Sequence, residues 1–301
     1  MSYAVDDTYN RVGIREDLTN ILEIISPSDF PLYSAFGKTT ASNTYHEWQT
    51  VTLSSPAANV QVEGFTASYA TSTPTSRLGN YTQIFAKTIE VSRTAKKVQV
   101  AGRSDEVAFQ TELRMKELVG DFEYAIIRGT ATAGGSQTAG RMHAGLIAML
   151  TASGATLTAG SAATVQTTLT EARYNTLLQG IFDNGGNPTQ TYCNGFVKRT
   201  ISAFTTPGSR QINSDSGKVN AAINYYESDF GMQEIILDRV MPKDTIVVID
   251  PNMFKIAVLD APKMTPMSKV GDGERSMIVA EQTLVCMNQN SSGKYIGILT
   301  A

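Results

Sequence analysis

The sequence is poor in charged side chains, which make up 18% of its 301 residues, whereas globular chains carry roughly 25%. Serine, threonine, alanine, asparagine and glycine take their place. A surface with few lysines and glutamates is typical of protein–protein interfaces, although a β-rich fold with long loops has the same composition. The net charge of −3 lacks the basic excess of a dedicated nucleic-acid binder. We therefore expect only weak, non-specific contact with any nucleic acid nearby.

Cysteine and histidine are also scarce, with two of each. Cys193 and Cys286 lie in apolar, strand-like contexts far apart in the sequence. This placement favours buried thiols in a reducing compartment over a structural disulfide. His46 and His143 cannot complete a typical zinc site with these cysteines unless unrelated carboxylates join them, so we predict no metal centre.

Recognisable catalytic and cofactor-binding motifs are missing. The chain contains no HExxH, CxxC, GxSxG, GxxxxGKS or GxxxxGKT pattern, and we predict no catalytic residue and no cofactor. The longest apolar runs, such as residues 145–150 and 245–249, are far too short to span a bilayer. The polar, acidic N-terminus does not look like a signal peptide. These features predict a protein without a membrane partner that is cytosolic or leaves its cell without a signal.

The order of predicted elements indicates an α+β fold. Residues 1–44 look like an arm, in which a short helical pattern over 14–25 precedes the proline-interrupted stretch SPSDFPLYSAFG. Residues 45–93 begin and end with strand-like alternation, in YHEWQTVTL and YTQIFAKTIEV, around a middle rich in Ser, Thr and Ala. This pattern predicts a long two-stranded hairpin. Because an isolated hairpin is marginal in water, it should lie on another surface, such as a second subunit.

The strongest helix prediction covers residues 104–129. Ser104 is a suitable N-cap, an apolar stripe follows, and Arg128 and Gly129 suit the C-terminal end. A second helix begins after Thr170. Strands and short helical pieces then alternate, and the final apolar segments SMIVAEQTLVCMN and GKYIGIL flank NSSG, which predicts a closing hairpin.

This order of parts resembles the major capsid proteins of tailed bacteriophages, which have the Hong Kong 97-type fold. The stretches that carry the resemblance are LTNILEIISPSDFPLYSAFGK, FAKTIEVSRTAKKV, YCNGFVKRTISAF, YYESDFGMQEIILDRVMP and VVIDPNMFKIAVLD. It covers essentially the whole chain. The resemblance implies self-assembly into pentamers and hexamers of an icosahedral shell that encloses double-stranded DNA. It also implies a place in the virion capsid and assembly in the cytoplasm of a host bacterium.

The resemblance further implies a division of the chain. The expected parts are an N-terminal arm at 1–44, an extended loop at 45–93 that lies over a neighbouring subunit, a peripheral domain at 94–164 and 256–301 with a spine helix at 104–129, and an axial domain at 165–255. Some relatives cross-link their subunits through a lysine on the extended loop. No lysine occurs between Lys38 and Lys87, so we predict a shell held without covalent bonds.

Further partners follow from the same resemblance. Some relatives carry a large scaffolding segment ahead of the arm, for which 44 residues leave no room. We therefore expect a separate scaffolding protein, or assembly without one. A portal and a decoration protein are further candidate partners.

Subunit contacts are expected from two kinds of side chain. In the arm, prolines hold the backbone extended and aromatic rings supply an adhesive surface, which packs either on its own subunit or on a neighbour. A basic run, formed by Arg93, Lys96, Lys97 and Arg103, is either a solvated face or a clamp onto an acidic neighbour. The full set of predicted interface residues is Pro27, Phe30, Pro31, Tyr33, Phe36, Trp48, Phe65, Tyr69, Arg77, Arg93, Lys96, Lys97 and Arg103.

Other functions stay open at this point. The same fold would serve a cellular compartment shell or another structural protein of a phage. A hydrolase with a lid at residues 45–93 is a further alternative, which the missing catalytic motifs disfavour.

Overall fold

A computed structural model describes most of the chain. The described residues are 29–54, 56–66, 69, 74–98, 105–151, 155–158, 167–204, 224–269 and 271–299. The helix predicted over residues 14–25 lies outside these ranges, as do Pro27, Arg103 and Ser104.

The described residues form six α-helices and twelve strands. The helices are α1 Pro31–Ala35, α2 Arg93–Lys97, α3 Glu106–Arg128, α4 Leu146–Met149, α5 Glu171–Asp183 and α6 Gly195–Ser202. The strands are β1 Gly37–Thr40, β2 Tyr45–Thr50, β3 Ser76–Tyr81, β4 Gln83–Ser92, β5 Thr156–Thr158, β6 Gln190–Cys193, β7 Tyr225–Ser228, β8 Gly231–Leu237, β9 Thr245–Ile249, β10 Phe254–Pro266, β11 Gly273–Cys286 and β12 Gly293–Ile296.

The first sheet has four strands in the order β1-β10-β11-β4, and α3 packs against it. β10, β11 and β4 are antiparallel neighbours, while β1 runs parallel to β10. Alternate residues of β4 are buried because they face α3. The ring of Phe85 meets the ring of Phe122 edge to face, with centroids 4.7 Å apart. Leu118 on α3 and Ile278 on β11 complete this contact.

The second sheet has six strands in the order β5-β12-β9-β6-β8-β7. The apolar faces of α5 and α6 cover one side of it. The predicted start of α5 is confirmed, since the side chain of Thr170 accepts a hydrogen bond from the Arg173 amide. In the FVKRTISAF segment, Val197 and Ile201 recur at helical spacing, and both are buried in helix α6, which Asn194 caps.

β9 joins the two halves of the core. Every residue of this strand is buried. Ile246 and Val248 face α5 and α6, whereas Val247 and Ile249 face a second cluster. That cluster contains residues of β10, β11, α3, α4 and the arm. A strand with apolar neighbours on both sides has a continuous apolar sequence, which explains the run TIVVI.

The strand pairing differs from the sequence prediction in two places. The extended hairpin is β2 with β3, whereas β4 pairs with β11 in the four-stranded sheet. The predicted closing hairpin is wrong, because β12 pairs with β9 and β5 in the other sheet. β5 and β12 therefore share a sheet with strands of the predicted axial domain, and β4 belongs with the predicted peripheral strands. Sequence periodicity finds strands but does not determine which distant partner each one takes.

The spine helix begins slightly later than predicted. Asp105 is its N-cap and accepts the amides of Val107 and Ala108 at 2.9 and 3.4 Å. Its end at Arg128, followed by Gly129, agrees with the prediction.

Candidate assembly interface

The described part of the arm packs on its own subunit. Phe36 is 3% exposed and stacks on Phe254 of β10, with ring centroids 5.3 Å apart. The Tyr33 ring lies 5.4 Å from the ring of Phe122 on α3. Of the two alternatives left open by the sequence, these contacts support packing within one subunit.

Pro31 begins helix α1, so the prediction of an extended backbone at this proline is wrong. Proline is well suited to the first position of a helix, where its fixed φ is helical and no amide donor is needed. The N-cap residue, Phe30, has no polar side-chain atom that could accept a backbone amide. Instead, Glu123 of α3 accepts the Leu32 and Tyr33 amides with its two oxygens, at 2.9 and 2.7 Å. A residue about ninety positions away thus stabilises the start of α1.

The ring of Phe30 also packs on α3. A methyl group at Gly120 would come within 3.1 Å of this ring. The absence of a side chain at Gly120 therefore lets the arm approach the spine helix closely.

β2 and β3 form the stem of the extended loop. They pair from Tyr45 with Tyr81 to Thr50 with Ser76. Arg77, a predicted interface residue, lies with its Nη1 3.5 Å from the Glu47 Oε1 on the same stem. Trp48, another predicted interface residue, is half-buried and packs at the edge of its own subunit's core.

Buried polar side chains fix the root of this stem. Asn80 is fully buried, and its Nδ2 donates to the carbonyl oxygens of Ala144 and Leu284 at 3.1 and 2.9 Å. Its Oδ1 accepts the Ala144 amide at 2.9 Å. Beside it, Arg141 and Glu281 form an ion pair that is largely shielded from solvent. Because these groups hold one another in place, they set the direction in which the loop leaves the body.

Among the described residues beyond the stem, the loop exposes six large apolar side chains. Their exposed fractions run from 54% for Phe65 to 97% for Tyr69. The sequence prediction includes these two residues but misses the aliphatic ones, whose signal is their position in an otherwise small and polar stretch. A series of exposed apolar residues in one segment is typical of a surface that a partner covers. The four missed residues are Val51, Leu53, Val60 and Val62.

The basic run meets acids of its own chain. Arg93 Nε lies 2.8 Å from Asp272 Oδ1, and Lys96 Nζ lies 2.5 Å from Glu274 Oε2. These acids lie beside the basic run because β11 pairs with β4. Lys97 has no ion pair with the residues that the structure describes. The basic run is therefore partly neutralised within its own subunit, which leaves fewer free cations for a clamp onto a neighbour.

Further exposed apolar side chains lie on the two strands at the β7 edge of the six-stranded sheet. Tyr225 is 62% exposed, and Met232 and Leu237 on β8 are also exposed. The sequence prediction contains none of these residues. The sequence of β8 does not mark Met232 and Leu237 as exposed, because a polar residue, Gln233, is buried in the same strand.

The two cysteines are free and buried, which confirms the prediction. Burial raises the pKa of each thiol to about 12, so both stay protonated near neutral pH. Among the described residues, no group of three His, Cys, Asp or Glu side chains is arranged to hold a metal ion. None of the described helices is both long and apolar enough to cross a membrane.

Comparison with known proteins decides the family. A family model described as the SU10 major capsid protein matches residues 2–299. The chain belongs to the SU10 major capsid protein family. The major capsid protein of Escherichia phage Phieco32 is 27% identical over 336 aligned positions. The alignment covers 95% of this chain and 95% of that relative. This chain is therefore a phage major capsid protein, whose copies assemble into a capsid.

Solved capsids confirm the α+β, Hong Kong 97-type fold expected for a member of this family. The capsid of a native GTA particle is similar with a TM-score of 0.71 and 10% identity, over 97% of both chains. The capsid of cyanophage A-1(L) has a TM-score of 0.70 and 11% identity, over 95% of this chain and 97% of that one. The SrpI encapsulin from Synechococcus elongatus PCC 7942 has a TM-score of 0.61 and 11% identity, over 98% and 96%.

Proposed function

We propose that this capsid protein forms pentamers and hexamers of an icosahedral shell around double-stranded DNA, and that contacts between subunits are non-covalent. The exposed apolar side chains of the extended loop carry the proposal. Leu53 and Val60 are each 88% exposed in the single subunit. Covering them with a neighbouring subunit lowers the free energy of the assembly. Each such side chain contributes about 1.5–3 kcal/mol when fully buried. Many contacts of this size stabilise a closed shell through multivalency.

The two sheets suggest an adjusted division of the subunit. In this proposal, the peripheral domain consists of α3 and the four-stranded sheet, including β4. The axial domain consists of the six-stranded sheet, including β5 and β12, with α5 and α6. The exposed side chains of Tyr225, Met232 and Leu237 then belong to the domain that gathers around the five-fold and six-fold axes.

The extended loop is tested by the double variant Leu53→Ser with Val60→Ser. We expect the subunit to remain folded, because both side chains lie outside its core. The yield of closed particles should fall at least about tenfold, since two apolar contacts are lost at each subunit boundary. Sedimentation and negative-stain microscopy measure the particle yield, and circular dichroism measures folding.

The matched control is Asn59→Ser with Gln61→Ser, which changes exposed polar residues of the same loop. It should assemble like the unmodified protein. Particles of normal yield from the Leu53 and Val60 variant would show that these side chains do not stabilise the shell.

The remaining partners belong to the same proposal. The net charge of −3 supports weak, non-specific contact with packaged DNA, because tight binding requires clustered Lys and Arg. A separate scaffolding protein, a portal and a decoration protein are proposed partners, and the host cytoplasm is the proposed site of assembly. We also propose that the protein acts by assembly rather than by catalysis.

A compartment shell is the second candidate, because the fold is similar to that of an encapsulin. The family match and the phage relative favour the viral capsid. Analysis of particle contents separates the two, since a viral shell should contain DNA and a compartment should contain cargo protein.

A further inference from the structure

Two acidic side chains are buried together where three parts of the subunit meet. Glu123 lies on α3 and is fully buried, and Asp238 follows β8 and is 1% exposed. The Asp238 carboxyl group lies close enough for its charge to raise the pKa of the Glu123 carboxyl group. The arm contributes the third part, because Glu123 also accepts the two amides at the start of α1. The pair therefore connects the spine helix to the β8–β9 connection, residues 238–244.

The hydrogen bonds around the pair leave one buried carboxyl oxygen without a partner. Both Glu123 oxygens accept arm amides, and Asp238 Oδ1 accepts the Val240 amide at 2.8 Å. Asp238 Oδ2 is buried and has no donor among the described residues when both carboxyls are ionised. Since an ionised carboxylate only accepts hydrogen bonds, a proton shared with Glu123 would give this buried oxygen its missing partner.

The surrounding groups provide limited compensation for a second negative charge. Arg128 attracts Asp238, while its Nε donates to the Val240 carbonyl at 3.0 Å. On the sheet side, the pair faces Tyr192 and Cys193, and Glu234 adds a further negative charge near Tyr192. Burial raises the pKa of the Tyr192 hydroxyl and of the Cys193 thiol, so both stay neutral near pH 7. On the arm side, Lys38 lies over the Tyr33 ring, and on the sheet side Lys198 acts on the Cys193 thiol.

We propose that Glu123 and Asp238 form a proton-sharing junction that ties the spine helix to the β8–β9 connection, and that loss of the shared proton opens this junction. Two carboxylates without a proton repel each other strongly in a buried site, where the effective dielectric constant is low. Glu123 keeps the arm amides when it ionises, because they favour its charged form. The separation therefore falls between α3 and residues 238–244.

The pH range of this opening follows from the burial. Desolvation, followed by the charge of Asp238, raises the pKa of Glu123 from 4.5 to about 7. Desolvation also raises the pKa of Asp238. An acid with a raised pKa in the folded state holds its proton more tightly there than in the unfolded chain. The contribution of protonated Glu123 to folded-state stability is therefore complete below about pH 4.5. This contribution is lost as the pH rises through about 7. The junction should be closed at pH 6 and open at pH 8.5.

Hydrogen exchange of the full-length protein tests the junction. The Val240 amide donates to Asp238 Oδ1, so its protection reports on the β8–β9 connection. After correction for the intrinsic pH dependence of exchange, we expect protection to fall about tenfold or more between pH 6 and pH 8.5. Unchanged protection over this range would overturn the proposal. The readout does not depend on shell assembly.

Asp238→Asn is the informative variant. The asparagine keeps an oxygen for the Val240 amide and gives Glu123 an N–H donor that does not titrate. We expect the Val240 amide of this variant to be protected equally at pH 6 and at pH 8.5. Asp121→Asn, which removes an exposed acid from the same helix, should retain the pH dependence of the unmodified protein. A full loss of protection in Asp238→Asn at pH 8.5 would also overturn the proposal.

Infrared spectroscopy of the unmodified protein provides a test without any variant. A protonated carboxyl group has a C=O stretch that a carboxylate lacks. We expect the band of one buried protonated carboxyl group at pH 6 and its loss at pH 8.5. The absence of this band at pH 6 would contradict a shared proton, whether or not Asp238→Asn folds.

Discussion

At the scale of single residues, the aromatic side chains of the chain divide into two groups. Phe36 is buried in its own subunit, while Phe65 on the extended loop is 54% exposed. The sequence shows both as apolar residues next to small and polar ones. Their roles differ because tertiary contacts cover only one of them.

Phe36→Ala should therefore destabilise the subunit itself. The change removes a buried ring that stacks on Phe254, and we expect the free energy of unfolding to fall by about 3–5 kcal/mol. Denaturant unfolding of the dissociated subunit measures this change. Phe65→Ala is the control and should alter the free energy by less than about 0.5 kcal/mol. If the Phe36→Ala subunit had normal stability but failed to assemble, the result would instead show that this ring contacts a neighbouring subunit.

At the scale of elements, the spine helix shows how local sequence and packing combine. Asp105 caps its first turn, and its apolar side supplies Leu118 and Phe122 to the core. α1 is the opposite case, because its five residues lack a local side-chain cap and use Glu123 instead. A helix this short needs tertiary contacts.

The N-cap of the spine helix should contribute measurably to the free energy of unfolding. Asp105→Ala leaves the Val107 and Ala108 amides without their acceptor. We expect a loss of about 0.5–2 kcal/mol in the free energy of unfolding. Glu112→Ala, which removes only an exposed ion pair with Lys116, should cost about 0.5 kcal/mol or less. Equal effects of the two variants in thermal unfolding would contradict the capping role.

At the scale of the whole molecule, β9 joins two of the apolar clusters that form the core. β9 contacts both apolar clusters, and the arm contributes Leu32 and Phe36 to one of them. The extended loop projects from this body with its root fixed around Asn80. The subunit thus combines a packed body with an exposed apolar segment that is suited to contact a neighbour.

The proposed non-covalent shell has a direct test. The extended loop carries no lysine between Lys38 and Lys87, so it cannot supply an amine for a cross-link. Mature particles boiled in detergent should give a single monomer band on a denaturing gel. A ladder of multimers would contradict the prediction, and mass spectrometry would then locate the bond.

The sequence by itself determined the elements whose pattern is local. The spine helix, the cap at Thr170, α6 and the buried thiols follow from periodicity, capping residues and apolar context. Together with the order of the parts, they indicate the capsid fold. Only the tertiary structure decided that β4 pairs with β11, that β12 joins β9, and that Pro31 begins a helix. It also decided that Glu123 and Asp238 meet. Each of these features depends on contacts between residues far apart in the sequence, and no local pattern determines which distant partners the folded chain brings together.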